Sequence, residues 1–171
     1  MTDKKRGDNL ILIGLPTSGK STVGVILAKA LGYEFTDIDL LIQKKEGKKL
    51  SKIMEEKGVD GFLSLEEEVT CSLSCSRTVI APGGSVIYGE KAMEHLRSLG
   101  RVIYLQMDFD MLTERLHDAR NRGVALREGQ TLESLYEERV PLYEKYADLV
   151  VNERGHALED MVVLIVSRLH D

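Results

Sequence analysis

Gly14-Leu15-Pro16-Thr17-Ser18-Gly19-Lys20-Ser21 decides the fold of this chain. Every specified position of the phosphate-loop pattern G-x-x-x-x-G-K-[ST] is filled, which a shuffled chain of this composition does in about one case per hundred. Glycines let backbone N–H groups converge on phosphate oxygens where a Cβ would clash. A helix N-terminus adds free donors and partial positive charge. Lys20 is placed to reach the β- and γ-phosphates and the Ser21 hydroxyl to coordinate Mg²⁺. Context supports the pattern. Leu10-Ile11-Leu12-Ile13 before it is a wholly apolar run suited to a central parallel strand. Val23, Ile26, Leu27, Ala30 and Leu31 after it form a helical stripe, stopped at Gly32.

Further along, strands and helices alternate. Short strands are expected at Glu34–Thr36, Thr78–Ala81, Arg101–Leu105 and Asp148–Asn152. Helical patterning covers Leu40–Ser76 with breaks at Gly47 and Gly58, then Glu90–Leu99, Asp108–Arg120 with Asp108 as N-cap, Leu132–Tyr146 and Leu158–Leu169. Asn121 to Gln130 reads as a mobile loop. This order predicts an α/β protein with right-handed crossovers and a parallel sheet between helical layers.

The chain has 171 residues, the size of one domain. Its 43% apolar and 30% charged content is ordinary globular usage. Lys plus Arg is 23 against 28 for Asp plus Glu, a net charge of −5, which argues against a nucleic-acid or anionic-membrane partner. The basic cluster Lys4, Lys5, Arg6 reads as a solvated tail. Two cysteines, Cys71 and Cys75, four apart on an expected helix, are too few for a disulfide scaffold or a zinc site and read as small, partly buried side chains. No targeting segment is visible and no apolar run approaches the ~18 residues of a membrane span. The expectation is a soluble cytoplasmic protein and a monomer.

Asp37-Ile38-Asp39 closes the second strand, at the sheet's carboxyl edge where ligands of open α/β sheets bind. Asp37 could support the metal, and Asp39 could orient or deprotonate an acceptor hydroxyl. The bland alternative is a pair of helix-capping acids. Pro82-Gly83-Gly84-Ser85 follows the third strand, either as a close-approach wall or as a Pro-Gly turn. Arg115, Arg120, Arg122 and Arg127 suit a basic lid over a triphosphate, or a solvated face. Arg139 sits on the following helix and could face the crevice. Glu66-Glu67-Glu68 reads as an exposed helix face, and the four histidines fall in no catalytic pattern.

Taken together, these segments resemble the shikimate kinase family of P-loop proteins. The resemblance spans Leu10 to Leu169. It rests on Gly14–Ser21, Phe35-Thr36-Asp37-Ile38-Asp39, Gly61-Phe62 with Glu66-Glu67, Gly83-Gly84-Ser85-Val86, and Glu138-Arg139-Val140-Pro141-Leu142-Tyr143 with Ala147-Asp148. It implies a three-layer P-loop kinase fold with a five-stranded parallel sheet in the order 2-3-1-4-5, all within one domain over residues 1–171. The helical substrate-binding region would cover about 40–76 and the lid about 118–130. It also implies Mg²⁺- and ATP-dependent phosphorylation of the shikimate 3-hydroxyl. By matching position, Gly14, Thr17, Ser18, Gly19, Lys20, Ser21 and Thr22 would hold the nucleotide, and Ser21 and Asp37 the metal. Asp39 would be the base, Gly83, Gly84 and Arg139 would bind the acceptor, and Arg122 the ATP phosphate. Arg115 and Arg154 would flank the adenine, with Lys20, Asp39 and Arg122 carrying catalysis.

Three positions depart from the family pattern. Leu63 stands where the family places an arginine on the shikimate carboxylate, Pro82 replaces the first of three glycines, and Gly123 replaces a proline after the lid arginine. A charge-assisted hydrogen bond contributes roughly 1.5–3 kcal/mol, so Leu63 implies acceptor binding weaker by about ten- to a hundred-fold unless another cation fills in. Two alternatives stay open: a kinase of another small acceptor (gluconate-, nucleotide- or other hydroxy-acid-type) and a nucleotide-binding module without transfer activity.

Overall fold

The computed structural model describes residues 6–118, 124 and 126–171. Five strands, β1 (Asn9–Ile13), β2 (Glu34–Asp37), β3 (Thr78–Ala81), β4 (Gly100–Gln106) and β5 (Leu149–Asn152), form one sheet in the order β2-β3-β1-β4-β5. Every pairing is parallel. The α/β class and strand order match the expectation. β1 is central and buried along its whole length. Its alternate residues serve different layers, because successive side chains on a strand point to opposite faces. Ile11 and Ile13 join one hydrophobic cluster, while Leu10 and Leu12 join the other.

The first layer holds α2 (Ile38–Glu46), α3 (Leu50–Cys71), α4 (Glu90–Leu99), α5 (Phe109–Asp118) and α6 (Leu132–Tyr146). On the other face lie α1 (Lys20–Leu31) and α7 (Leu158–Leu169). Gly32 caps α1 in the left-handed region at φ 68, as its place in the sequence predicts. Gly47 ends α2 in the same way, and Gly58 (φ 70, ψ 179) breaks the helical backbone inside α3. At the amino edge of the sheet, buried Asn9 donates through Nδ2 to Cys75 O (2.8 Å) and Leu99 O (2.9 Å) and accepts from Thr78 N. That side chain ties three neighbouring strands together and leaves the opposite, carboxyl edge to the loops.

Several expectations need correction. α3 ends at Cys71, so Cys75 lies in the following loop; Cys71 is exposed rather than partly buried, and both thiols are free. Asp108 stands at the expected N-cap position of α5, its carbonyl accepting from Leu112 N (3.1 Å), and its Oδ2 also accepts from Arg154 Nε (2.6 Å). The expected end of that helix at Arg120 lies outside the described residues. Among the described residues, no helix is long and apolar enough to cross a membrane.

Candidate active site

Five turns meet at the carboxyl edge of the sheet. The turn after β1 is the phosphate loop. Gly19 holds φ 82 as the N-cap of α1, with no side chain capping the helix, so the first-turn N–H groups point outward as donors. Lys20 folds over the loop: its Nζ donates to Gly14 O (2.9 Å) and Leu15 O (2.8 Å). Burial lowers its pKa to about 8, against the opposing pull of Asp39. Phosphate oxygens in its reach would restore the charge. Thr17 adopts φ 68 without being glycine. Its carbonyl accepts from Arg115 Nη1 at 2.8 Å, and the same nitrogen donates to Glu153 Oε2 at 2.8 Å. An arginine from α5 and a glutamate from the loop after β5 thus brace the strained corner of the phosphate loop.

Beside it, β2 delivers the aspartate pair, and both readings of that pair hold. Asp37 caps α2, its Oδ1 accepting from Leu40 N (3.2 Å), while its Oδ2 accepts from Ser21 Oγ (3.0 Å). The Ser21–Asp37 oxygens form an all-oxygen donor set of the kind Mg²⁺ prefers. Asp39, the second residue of α2, is half-buried. Burial raises its pKa to about 6, with Asp37 adding repulsion and Lys20 opposing.

Across the cleft, β3 ends in the Pro82-Gly83-Gly84-Ser85 turn. A Cβ on Gly83 would lie 2.6 Å from Glu66 Oε2 and 2.8 Å from Asp39 Oδ1, so any larger residue there would push both carboxyl groups aside. α6 meets this turn with Leu135, Arg139, Tyr143 and Tyr146 along one buried stripe. Tyr143 donates its hydroxyl to Gly84 O (2.6 Å) and stacks on Tyr104 at 5.1 Å. Arg139 is 1% exposed yet lines the cleft, its guanidinium 5.4 Å from the Tyr88 ring centre. A guanidinium is rarely held so deep unless it faces an anion.

The resulting cleft has a volume of about 420 Å³ and runs from the phosphate loop to Arg139, a size suited to small ligands. Thr17, Gly19, Lys20, Ser21 and Thr22 line one end; Asp37 and Asp39 the middle; Gly83, Gly84 and Arg139 the other end. Gly14 and Ser18 support the loop from beneath, and Arg115 and Arg154 stand outside the lining. Arg122 lies outside the described residues, so its expected contact has no structural counterpart here. Val124, from the expected lid segment, lines the cleft.

The expected substrate-binding helices supply Phe62, quoted in the resemblance, and also Leu40, Gln43, Leu50 and Met54, which sequence reasoning did not single out; together they build the cleft's outer wall from α2 and α3. It also misplaced Glu66, which is 2% exposed rather than on a solvated face. The signal was present: Phe62, Leu65, Glu66, Val69 and Thr70 follow one helical stripe. Leu63 packs against the hydrophobic core and does not line the cleft.

A phosphate loop with its lysine, a carboxylate on the acceptor side and a buried arginine beyond it, all at the carboxyl edge of a parallel sheet, define a P-loop phosphotransferase. The comparisons narrow this. The shikimate kinase family model matches residues 16–170. A shikimate kinase from Methylococcus capsulatus is 39% identical over 162 residues, 93% of this chain and 90% of that protein. One from Thiobacillus denitrificans is 38% identical, covering 95% of this chain and 90% of its own. Among solved structures, the shikimate kinase from Acinetobacter baumannii in complex with shikimate superposes with a TM-score of 0.87 at 32% identity. That superposition covers 95% of this chain and 93% of that one. The chain belongs to the shikimate kinase family.

Proposed function

We propose that this protein transfers the γ-phosphoryl group of ATP to the 3-hydroxyl of shikimate. The observation that carries the reading is the alignment along one cleft of the phosphate loop, Asp39 and Arg139. A triphosphate on the loop would present its end toward Asp39, and Arg139 would take the acceptor's carboxylate with Gly83 and Gly84 as the wall. Lys20 would stabilise charge on the transferring group. Asp39, ionised near neutrality, would orient the 3-hydroxyl and accept its proton.

Ser21 and Asp37 fit Mg²⁺, which bound there with the nucleotide would neutralise charge between the β- and γ-phosphates. Arg115, fixed against Thr17 by Glu153, and Arg154, held by Asp108, would frame the base, and Arg122 would reach the phosphates from a lid over about 118–130. The helices over about 40–76 would shape the acceptor side. We take the protein to act as a monomer, and the two free cysteines support a reducing, cytoplasmic setting.

Incubation with Mg–ATP and shikimate, with ADP release coupled to an absorbance readout, tests the reading. Turnover is expected. ATP binding without turnover would leave a second reading, favoured by Leu63 in place of the family's arginine: a kinase for another hydroxylated acid, found by screening acceptors.

A further inference from the structure

The outer wall that α2 and α3 give the cleft is apolar except at one place. Leu40, Leu50, Met54 and Phe62 present hydrocarbon or aromatic surface, and Gln43 is the polar side chain among them. Polar groups in a small-molecule site are few, and those present fix orientation and specificity. Gln43 is held by the start of the next helix. Leu50 is the first residue of α3, where a backbone N–H has no acceptor within its own helix, and Lys49 before it supplies no side-chain cap. Gln43 Oε1 fills that role, accepting from Leu50 N at 3.0 Å. A backbone N–H can only donate, so this bond settles which end of the amide is oxygen. Nε2 is thereby turned away from Leu50, and no acceptor among the described residues engages it. The main chain is pinned as well, because Gln43 O accepts from the N–H of Gly47 at the end of α2.

The position of Gln43 on α2 sets what its two free N–H bonds can reach. Asp39 and Gln43 are one turn apart, which makes their side chains neighbours on one helix face. Both line the cleft. Ile38 and Ile42, the residues just before them, are fully buried in the core and fix the rotation of the helix. Asp39 is the group set against the hydroxyl that takes the phosphoryl group. A donor beside it on the same face meets the next polar group of the acceptor, the hydroxyl vicinal to the reacting one. On shikimate that hydroxyl is unambiguous: of the two ring neighbours of C3, C2 is an alkene carbon with no oxygen and C4 carries a hydroxyl.

We propose that Gln43 is a specificity-determining residue whose Nε2 donates to the acceptor hydroxyl next to the one phosphorylated, the 4-hydroxyl of shikimate. This deepens the shikimate reading and rests on it for the identity of the acceptor. The bond from Leu50 orients the amide before any acceptor arrives, so little side-chain freedom is lost on binding. An acceptor without that hydroxyl leaves Nε2 facing hydrocarbon within an otherwise apolar wall, and is bound less well for it. Asp39 thus selects the oxygen that reacts, and Gln43 selects the molecule that carries it.

The test compares kcat/KM for shikimate with kcat/KM for 4-deoxyshikimate, at saturating Mg–ATP, in wild type, Gln43→Met and Gln43→Ala. Wild type prefers shikimate. Both variants lose about three- to tenfold of that preference, the share of one neutral hydrogen bond. The loss falls on the shikimate KM, with the ATP KM unmoved. Methionine keeps the length of the side chain and alanine favours the helix, so if one variant fails to fold the other decides. Both variants also remove the partner of Leu50 N, and the comparison of two acceptors separates that effect. A role confined to joining α2 and α3 lowers kcat/KM for shikimate and 4-deoxyshikimate by the same factor and leaves the preference intact, and that result overturns the proposal. Failure of the shikimate reading looks different: folded wild type transfers nothing to shikimate, which removes that reading and this proposal with it.

Discussion

Each end of the cleft is backed by a buried glutamate, and the two are treated differently. On the nucleotide side, Glu153 is 2% exposed and shares Arg115 with the carbonyl of Thr17. On the acceptor side, Glu66 is equally buried and has one serine hydroxyl. Burial raises both acids, Glu153 to about 7 with Arg115 opposing, and Glu66 to about 8. The pairing makes Glu153 part of a brace that fixes the phosphate loop. The missing pairing makes Glu66 a titratable element behind the acceptor. A buried acid thus serves as a brace, or stays neutral against its neighbours, according to whether a guanidinium is bonded to it.

The largest expected effects probe whether the two halves do separate work. Lys20→Ala lowers kcat by about 10³-fold, the upper range for one preorganised donor, and leaves the acceptor KM within a few-fold. Steady-state kinetics check this beside a melting curve showing that the fold survives. Asp39→Asn lowers kcat by about 10²-fold, as loss of a general base does, while calorimetry with Mg–ATP gives an unchanged affinity. A collapse of ATP binding in Asp39→Asn would move that residue to the nucleotide half.

Next in size are changes that would make the two ends alike. Leu63→Arg puts a guanidinium one turn from Glu66 on the same helix. The acceptor KM falls about tenfold, with the ATP KM unchanged. If the acceptor KM does not move, Arg139 alone suffices or the physiological acceptor lacks a carboxylate there. Glu153→Gln weakens the brace instead. The ATP KM rises about three- to tenfold, because a half-exposed arginine loses a charged partner, and the acceptor KM stays put.

The contrast also marks what the sequence made legible. Patterns written in consecutive residues were readable: Gly14–Ser21 announced the phosphate loop, the run at Leu10 a strand covered on both faces, and the runs at Thr78 and Val102 further strands. Asp37 and Asp39 were readable because they lie where the second strand runs out beside that loop. Arg139 was legible too, since it occupies the apolar stripe of Leu135, Tyr143 and Tyr146, but only the family resemblance gave it meaning. Glu66 was not read correctly, because three successive glutamates look like a solvated face until α3's phase is fixed. That phase depends on the break at Gly58 and on packing against α2 and α4, neither of which local periodicity encodes. The brace of Thr17, Arg115 and Glu153 is made by hydrogen bonds between residues 98 and 38 positions apart, a relation only the folded chain creates.

The smallest expected effect separates the two glutamates by stability alone. An acid with a raised folded-state pKa binds a proton on folding between its unfolded value and its folded one. For Glu66 that window runs from 4.5 to about 8, and for Glu153 from 4.5 to about 7. In those windows unfolding releases a proton, so stability is full below the unfolded pKa and declines as pH rises toward the folded one. The ceiling is about 1.4 kcal/mol per pH unit for each group, or roughly 3–5 °C in melting temperature for a chain of this size. Glu66→Gln removes its share of the slope up to pH 8, whereas Glu153→Gln flattens the curve only up to pH 7. Between pH 7 and 8 the two variants should therefore diverge, Glu153→Gln still losing stability with pH and Glu66→Gln holding level. A wild-type melting temperature that stays constant across the whole window would mean that both acids fold in the ionised form, and the distinction between the braced and the unbraced glutamate would disappear.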